Sequence, residues 1–261
     1  NAPDLDRWGW RIPFFVGAAL AASVWIARST MHESPEFRRQ QAEATVPEIP
    51  LRHALANHRG GIARGFAISA LGSITYYVGI TYVPSFLTSV GKFSEGQALW
   101  LSTLAAVAVI LVTPLTGMLS DRIGRKPVLI ALCLGSAALP ITMFSLMTSG
   151  SALVGAVILA LLAGAVSAVG AVATAEQFPG EGRITGLALG ATMATAIFGG
   201  LTPYAAQWLV ERTGWSTAPG IMIAAVGLCA LPVMLMLRET APALTRGAEQ
   251  PEKLRDRQKG E

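Results

Sequence analysis

Charge is what this sequence has least of. Only 14% of its 261 residues are Asp, Glu, Lys or Arg, where soluble domains carry about a quarter, and those few are bunched. Residues 12–27, 65–91, 96–120, 127–175, 184–210 and 213–237 contain none, which excludes an ordinary soluble domain and points to a chain that lives in lipid. Cysteine is nearly absent too. Cys133 and Cys229 each sit inside an apolar window, without CxxC spacing or a histidine partner, so neither a disulfide nor a zinc site is indicated and both read as small hydrophobes. His53 and His58, five apart on a basic segment, have poor geometry for a metal pair and read as solvated. No GxxxxGK(S/T) phosphate loop, HExxH or GxSxG occurs, so ATP-driven pumping and the common hydrolase mechanisms lack support. The sequence predicts no catalytic residue, no metal, no cofactor and no enzyme.

What is present is hydrophobic length. A helix needs roughly 20 apolar residues to cross a bilayer. Window 127–175 is long enough for two spans, with Thr148-Ser149-Gly150-Ser151 dividing them. Window 12–27 is short, but Arg11 and Arg28 can snorkel from its ends. None of the windows alternates like a barrel strand, so the spans are helices. Seven transmembrane helices are expected, in an all-α membrane protein.

Charge then orients them. Taking alternate loops, one side holds only Arg7, Arg11, Lys92 and Arg212 of the 20 Lys and Arg residues; the other side holds the remaining sixteen. That bias makes the crowded side cytoplasmic, with the carboxyl terminus on it. The net charge of +4 comes from these loops, so it is no nucleic-acid footprint. Trp8, Trp10, Trp208 and Trp215 suit an interfacial aromatic belt. The sequence shows neither an initiator methionine nor a signal-peptide pattern, and with an odd span count this is expected of a chain cut from something longer.

Within the long inside loop, Ser34-Pro35-Glu36 reads as a helix start, Ser34 as N-cap. Pro47 and Pro50 end that helix, and 51–58 can form a second, surface-lying one. After Arg238 the chain is polar and charge-mixed, the composition of a disordered tail.

The most informative stretch is 117–127, Gly-Met-Leu-Ser-Asp-Arg-Ile-Gly-Arg-Lys-Pro, a charged turn between two long apolar runs. Gly117 and Gly124 are expected to let backbones approach closely. Asp121 lies among Arg122, Arg125 and Lys126. This turn resembles, nearly position for position, the loop signature of the major facilitator superfamily: glycine, any, leucine, small, aspartate, arginine, any, glycine, arginine, lysine. In that superfamily the signature joins the second and third helices and repeats between the eighth and ninth. Here it follows the third window and a long basic loop, which fits helices six to twelve.

Trp8-Gly9-Trp10-Arg11-Ile12-Pro13-Phe14 and Glu33-Ser34-Pro35-Glu36-Phe37 resemble the metabolite:proton symporter family, which carries solutes such as proline, betaine, shikimate, citrate and 2-oxoglutarate. Thr75-Tyr76-Tyr77 with Thr81-Tyr82-Val83-Pro84-Ser85, and Phe198-Gly199-Gly200-Leu201-Thr202-Pro203, are similar to members of it. Glu176 with Arg183 repeats a pattern also found in sugar porters, but the paired glutamines of their seventh helix are absent.

The resemblance implies a major facilitator fold: a C-terminal six-helix bundle plus the preceding helix. The expected divisions are an outside loop with helix six at 1–28, a central cytoplasmic loop at 29–64, the bundle at 65–237 and a disordered tail at 238–261. It also implies secondary active, proton-coupled symport by alternating access in a bacterial-type inner membrane. The partners would be a small organic solute, protons and the lipid bilayer, and no nucleic acid. The solute could be a zwitterionic osmolyte or a small organic acid. A di- or tricarboxylate stays open, as does a truncated membrane module that does not transport.

Transporter sites are polar stripes near mid-membrane. Ser69, Ser73, Tyr77 and Thr81 repeat every four residues, with Tyr76 beside them, and Thr185, Thr192, Thr195 and Thr202 make a second row. The cavity candidates are Ser73, Tyr76, Tyr77, Thr81, Thr192, Thr195 and Thr202, against the alternative that such hydroxyls only bond helix to helix. A cytoplasmic gate network is expected from Gly117, Asp121, Arg122, Gly124, Arg125, Glu176 and Arg183. No ionisable residue lies well inside any window, so proton coupling is expected mainly from helices outside this chain.

The charge split yields a direct test. Reporters inserted near Thr45 and fused after Glu261 should read cytoplasmic, and one near Lys92 should read outside; an outside signal at Thr45 would overturn the span assignment.

Overall fold

In the computed structural model, residues 8–31, 38, 50–178 and 183–241 are described, and every regular element among them is helical. The expected helix start at Ser34 lies outside the described residues. The chain divides into two units, 1–48 and 49–261.

The first unit holds α1 (Ile12–Ser29), entered through a 3-10 turn at Gly9–Arg11. Its entry is an interfacial anchor. Trp10 meets Phe14 edge-on at 6.0 Å, Trp8 stacks on Phe15 at 6.2 Å, and the Arg11 guanidinium lies 4.3 Å from the Trp10 ring centroid. Such amphipathic rings and a cation suit the boundary between headgroups and hydrocarbon.

The second unit starts with a short helix, α2 (Pro50–Asn57), where the sequence places one. Next come α3 (Arg59–Thr81) and α4 (Val83–Ser89), bent by 42° at their junction. Pro84 opens α4, and its ring cannot continue the hydrogen bonding of the preceding turn. Then follow α5 (Glu95–Ile123), α6 (Arg125–Thr148), α7 (Ala152–Glu176), α8 (Thr185–Thr213) and α9 (Ala218–Met236). Six described helices are long and apolar enough to cross a membrane, and the bent α3–α4 pair makes seven if it is one span. The break between α6 and α7 falls at the expected Thr148–Ser151 segment. α3 starts before its charge-free window, so Arg59 and Arg64 lie on the helix rather than in a loop.

α7 is the centre of this unit. Of its span 61% is buried, against 11% for α5, and it packs on α3, α5 and α6. Alanines and glycines dominate it, so neighbours come close. A Cβ on Gly155 would lie 2.6 Å from the Met143 carbonyl oxygen, and one on Gly164 would lie 2.9 Å from Val112. α9 uses the same device on α6. A Cβ on Gly220 would lie 2.7 Å from the Pro140 carbonyl oxygen, and Cys133 Sγ approaches the Gly227 carbonyl to 3.0 Å. Lipid tails are as apolar as leucine, so close packing of this kind holds helices together in a bilayer. Larger side chains fill the rest. Phe86 meets Phe144 edge-on at 4.9 Å near the α4 end, and Leu71, Leu129, Val166 and Met234 pack together nearer the start of α6.

α8 departs from a uniform α-helix. Ala188–Thr192 and Ala196–Gly200 are π-helical, as is Tyr77–Thr81 at the end of α3. Gly190 sits against the α3 backbone, where a Cβ would lie 3.0 Å from the Ile62 carbonyl oxygen. Gly199 sits under the Tyr77 ring. α5 begins with a capping box, in which Gln97 N–H donates to Ser94 Oγ and Ser94 N–H donates to Gln97 Oε1.

Gly220→Ala should lower bundle stability by about 1–3 kcal/mol, because backbone atoms of α6 would have to move. Gly72→Ala, with nothing within 4 Å of the added carbon, should be neutral or stabilising by up to about 1 kcal/mol from helix propensity. Thermal unfolding of the two variants in detergent checks the contrast.

Candidate functional site: a hydroxyl-lined cleft and a charged helix end

Two polar places stand out in the bundle. The first is a cleft of about 280 Å³ between α3, α7 and α8. Ser69 and Ser73 come from α3, Ser167 and Thr174 from α7, and Thr195 from α8; no charged residue lines it. Gly72 and Gly170 leave the space open. Ser73 Oγ and Thr195 Oγ1 are 3.0 Å apart, which joins the two rows of hydroxyls expected from the sequence, and Ser69 Oγ lies 3.5 Å from Thr174 Oγ1. The surroundings are apolar, so these hydroxyls are strong hydrogen-bonding groups for a solute of matching shape.

The other cavity candidates are elsewhere. Tyr77 packs on Gly199, and Tyr76, its edge-on neighbour at 6.0 Å, is exposed. Thr81 and Thr192 are exposed and do not line the cleft. Thr202 is buried and donates to the Phe198 carbonyl at 2.6 Å, so its hydroxyl is used within its own helix. The four-residue row continues through Tyr77, which meets Gly199 one turn beyond Thr195, and fails at Thr81, because a π-turn spans Tyr77–Thr81. Its i→i+5 bonding, seen as Tyr82 N–H to the Tyr77 carbonyl at 2.8 Å, inserts a residue and rotates the face. Ser167 and Thr174 escaped the sequence reading. Their signal is that they are the only hydroxyls in an otherwise aliphatic α7, seven residues and therefore two turns apart.

The second place is the junction of α5 and α6. Gly124, at φ +114°, makes the turn there, a conformation suited to glycine. Arg125 is 7% exposed. Its Nη1 donates to Ser120 Oγ at 2.7 Å and pairs with Asp121 Oδ1 at 2.5 Å, and its Nε lies 3.6 Å from Glu176 Oε2. That last contact is an ion pair but too long for a hydrogen bond, and among the described residues Nε has no hydrogen-bond partner. Asp121, Arg125 and Glu176 are thus together, as the sequence expects. Arg122 is exposed and makes no ion pair among the described residues. The Arg183 side chain lies outside the described residues. Gly117 corrects the expectation of close approach: among the described residues nothing lies within 4 Å of where its Cβ would be.

A carboxylate that sequence reasoning missed completes this junction. Glu239, just past α9, accepts Arg125 N–H at 2.7 Å and Lys126 N–H at 3.1 Å, and so caps the start of α6. It also accepts the Thr240 and Ala241 amides at 3.0 and 2.9 Å, and Thr240 Oγ1 donates to Glu176 Oε2 at 2.5 Å. The sequence places these residues in the tail, but Ala241 is fully buried. Burial alone would push the Glu239 carboxyl up; four amide donors outweigh it and hold the group below its ordinary value of 4.5. At the opposite end of the bundle, Tyr82 donates to Gln207 Oε1 and Gln207 Nε2 donates to Glu211 Oε1, both at 2.8 Å.

A helical bundle of long apolar spans, with a charge-free, hydroxyl-lined cleft and a Gly-Asp-Arg-Gly-Arg junction, defines the class as a polytopic membrane protein. Residues 66–259 match the family model described as Major Facilitator Superfamily, and the chain belongs to that superfamily. It is 32% identical over 245 residues to a citrate-proton symporter of Klebsiella pneumoniae, covering 92% of this chain and 55% of that protein. It is 28% identical over 253 residues to a glycine betaine/proline/ectoine/pipecolic acid transporter of Dickeya dadantii, covering 92% and 50%. An alpha-ketoglutarate permease of Escherichia coli is 32% identical over 240 residues, covering 89% and 54%. The chain spans about half the length of the curated relatives it matches. No solved structure matches it.

The cap has a pH signature. A carboxyl held low when folded adds stability above its unfolded value and loses it as pH falls through the folded value. The parent bundle should therefore lose stability on acidification below about pH 4.5. Glu239→Ala should cost about 1 kcal/mol at neutral pH and flatten that acid limb. Melting curves across pH check both.

Proposed function

We propose that this chain is the C-terminal portion of a secondary active transporter that moves a small organic solute with protons by alternating access. The observation that carries the reading is the cleft, where hydroxyls from three spans meet in apolar surroundings without a single charge. In this reading Ser73 and Thr195, with Ser69, Ser167 and Thr174, are the bundle's share of the solute site, and Tyr76 and Tyr77 flank it. Relatives named as symporters of citrate and as transporters of betaine and proline support the class. Proton coupling depends mainly on helices outside this chain. The membrane is a bacterial-type inner membrane, with the carboxyl terminus cytoplasmic as the charge split requires.

A neutral cleft favours a solute without net charge, a zwitterionic osmolyte. Likeness to a citrate-proton symporter favours the second reading, a di- or tricarboxylate; that solute needs cations, and they would have to come from outside the cleft. The junction around Arg125 acts as a latch between two global states, closed while Asp121, Arg125, Glu176 and Glu239 are engaged. Gly124 makes its turn, with Gly117, Arg122 and Arg183 flanking it.

Uptake of radiolabelled betaine, proline, citrate and 2-oxoglutarate by the full-length protein decides the substrate class. Thr195→Ala and Tyr77→Ala should each raise the half-saturating concentration several-fold, the worth of about 1 kcal/mol per lost hydrogen bond or ring contact, with expression unchanged. Unaltered uptake in both returns these residues to helix packing.

Asp121→Asn tests the latch. An exposed ion pair is worth at most about 1 kcal/mol, whereas a two-state latch shifts tenfold for about 1.4 kcal/mol. Uptake should fall well beyond that of Glu95→Gln, a carboxylate at the start of α5. Transport within twofold of the parent for both variants would make Asp121 a surface charge.

A further inference from the structure

Larger than the hydroxyl cleft is a groove of about 690 Å³ among α2, α3, α8 and α9. Its floor is a run of alanines, Ala63, Ala67 and Ala70 on α3 and Ala225 and Ala230 on α9. Leu189 and Phe198, one in each π-turn of α8, form the opposite wall. Small residues on two antiparallel helices and a locally widened third helix leave a trough that its own lining residues do not fill.

The trough has one charged residue, and it is at one end. Along α3 the lining runs from Arg59 to Ala70, about 16 Å at 1.5 Å per residue, close to half of a hydrocarbon core about 30 Å thick. The groove is therefore as deep as one leaflet and opens at the headgroup level on the Arg59 side. Arg59 Nε donates to the Leu55 carbonyl at 2.6 Å, which fixes the side chain at the mouth. Among the described residues it has no carboxylate partner. Arg52 is exposed on the adjoining α2.

We propose that this groove holds one acyl chain of an anionic phospholipid from the leaflet on the Arg59 side, with the lipid phosphate on the Arg59 guanidinium. The guanidinium fork matches phosphate oxygens, and basic sites between spans are where anionic headgroups are held. A second groove between α5 and α7, of about 510 Å³ and lined by aliphatic residues such as Leu111 and Val157, has no cation in its lining. It serves as the internal control.

The test is lipid photolabelling, read independently of any transport. The full-length protein is reconstituted in phosphatidylcholine vesicles doped with phosphatidylglycerol carrying a diazirine on one acyl chain, or with phosphatidylcholine carrying the same chain. Labelled peptides are mapped by mass spectrometry. Segments around Phe66, Met193 and Val226 should label about fivefold more with the anionic probe, the preference that one basic residue at the surface provides. The α5–α7 groove should label equally with both. Arg59→Gln should bring the preference to parity, while Arg59→Lys, which keeps the charge, should retain it and guard against a folding artefact. Ala63→Trp should suppress labelling of the groove by filling it. Equal labelling by the two probes in the parent, or a preference that survives Arg59→Gln, overturns the proposal. So does efficient disulfide dimerisation through Cys229, which lines the groove, since a second copy would then occupy it.

Discussion

How closely neighbouring helices can approach α7 is the constraint on which the second unit depends. Burying apolar side chains gains little when the surroundings are already hydrocarbon, so association rests on contact distance. α7 meets that condition with alanine and glycine at most contact positions, and α9 repeats it against α6. The cost of this solution is intolerance, since at Gly155 and Gly220 even one methyl would reach a backbone carbonyl.

Polar groups are sorted by that constraint. The polar side chains lining the cleft between α3, α7 and α8 are short hydroxyls, small enough not to push the helices apart. Long charged side chains are held at helix ends, where Arg125 is surrounded by Ser120, Asp121 and Glu176. A buried guanidinium that lost these partners would be an uncompensated charge, so the junction is held by Arg125 more than by the exposed Asp121. The π-turns belong to the same economy of space. They fall where glycine on α8 meets α3, and they change which side chains face the cleft.

Much of the architecture was legible because it is written in local composition. Charge-free windows mark the spans, Thr148–Ser151 marks a break, and Leu51 onward marks a short helix. The two rows that hold Ser73 and Thr195 were legible, because hydroxyls at helical spacing share a face, but which members of them meet was not. The rest depends on relations between distant residues. Thr81 and Thr192 continue their rows in sequence but not in space, because π-turns shift the face and periodicity alone cannot register an inserted residue. Glu239 looks like the first residue of a polar tail, and nothing near it in sequence announces that its acceptors are aimed at the amides of Arg125 and Lys126. Gly117 shows the opposite error, since a motif position suggested contact where none of the described residues comes within 4 Å.

The cap on α6 also imposes an order of events during synthesis. Arg125 and the carboxylate that satisfies its amide are 114 residues apart. At roughly 5–20 residues per second, the first turn of α6 waits on the order of ten seconds for its partner to be translated. Throughout that interval α6 sits in the bilayer with the amides at its first turn turned to water, and Arg125 has only Ser120 and Asp121, and later Glu176, around it. This junction is therefore among the last parts of the bundle to set, and a nascent chain that has not reached residue 239 lacks the carboxylate that caps α6.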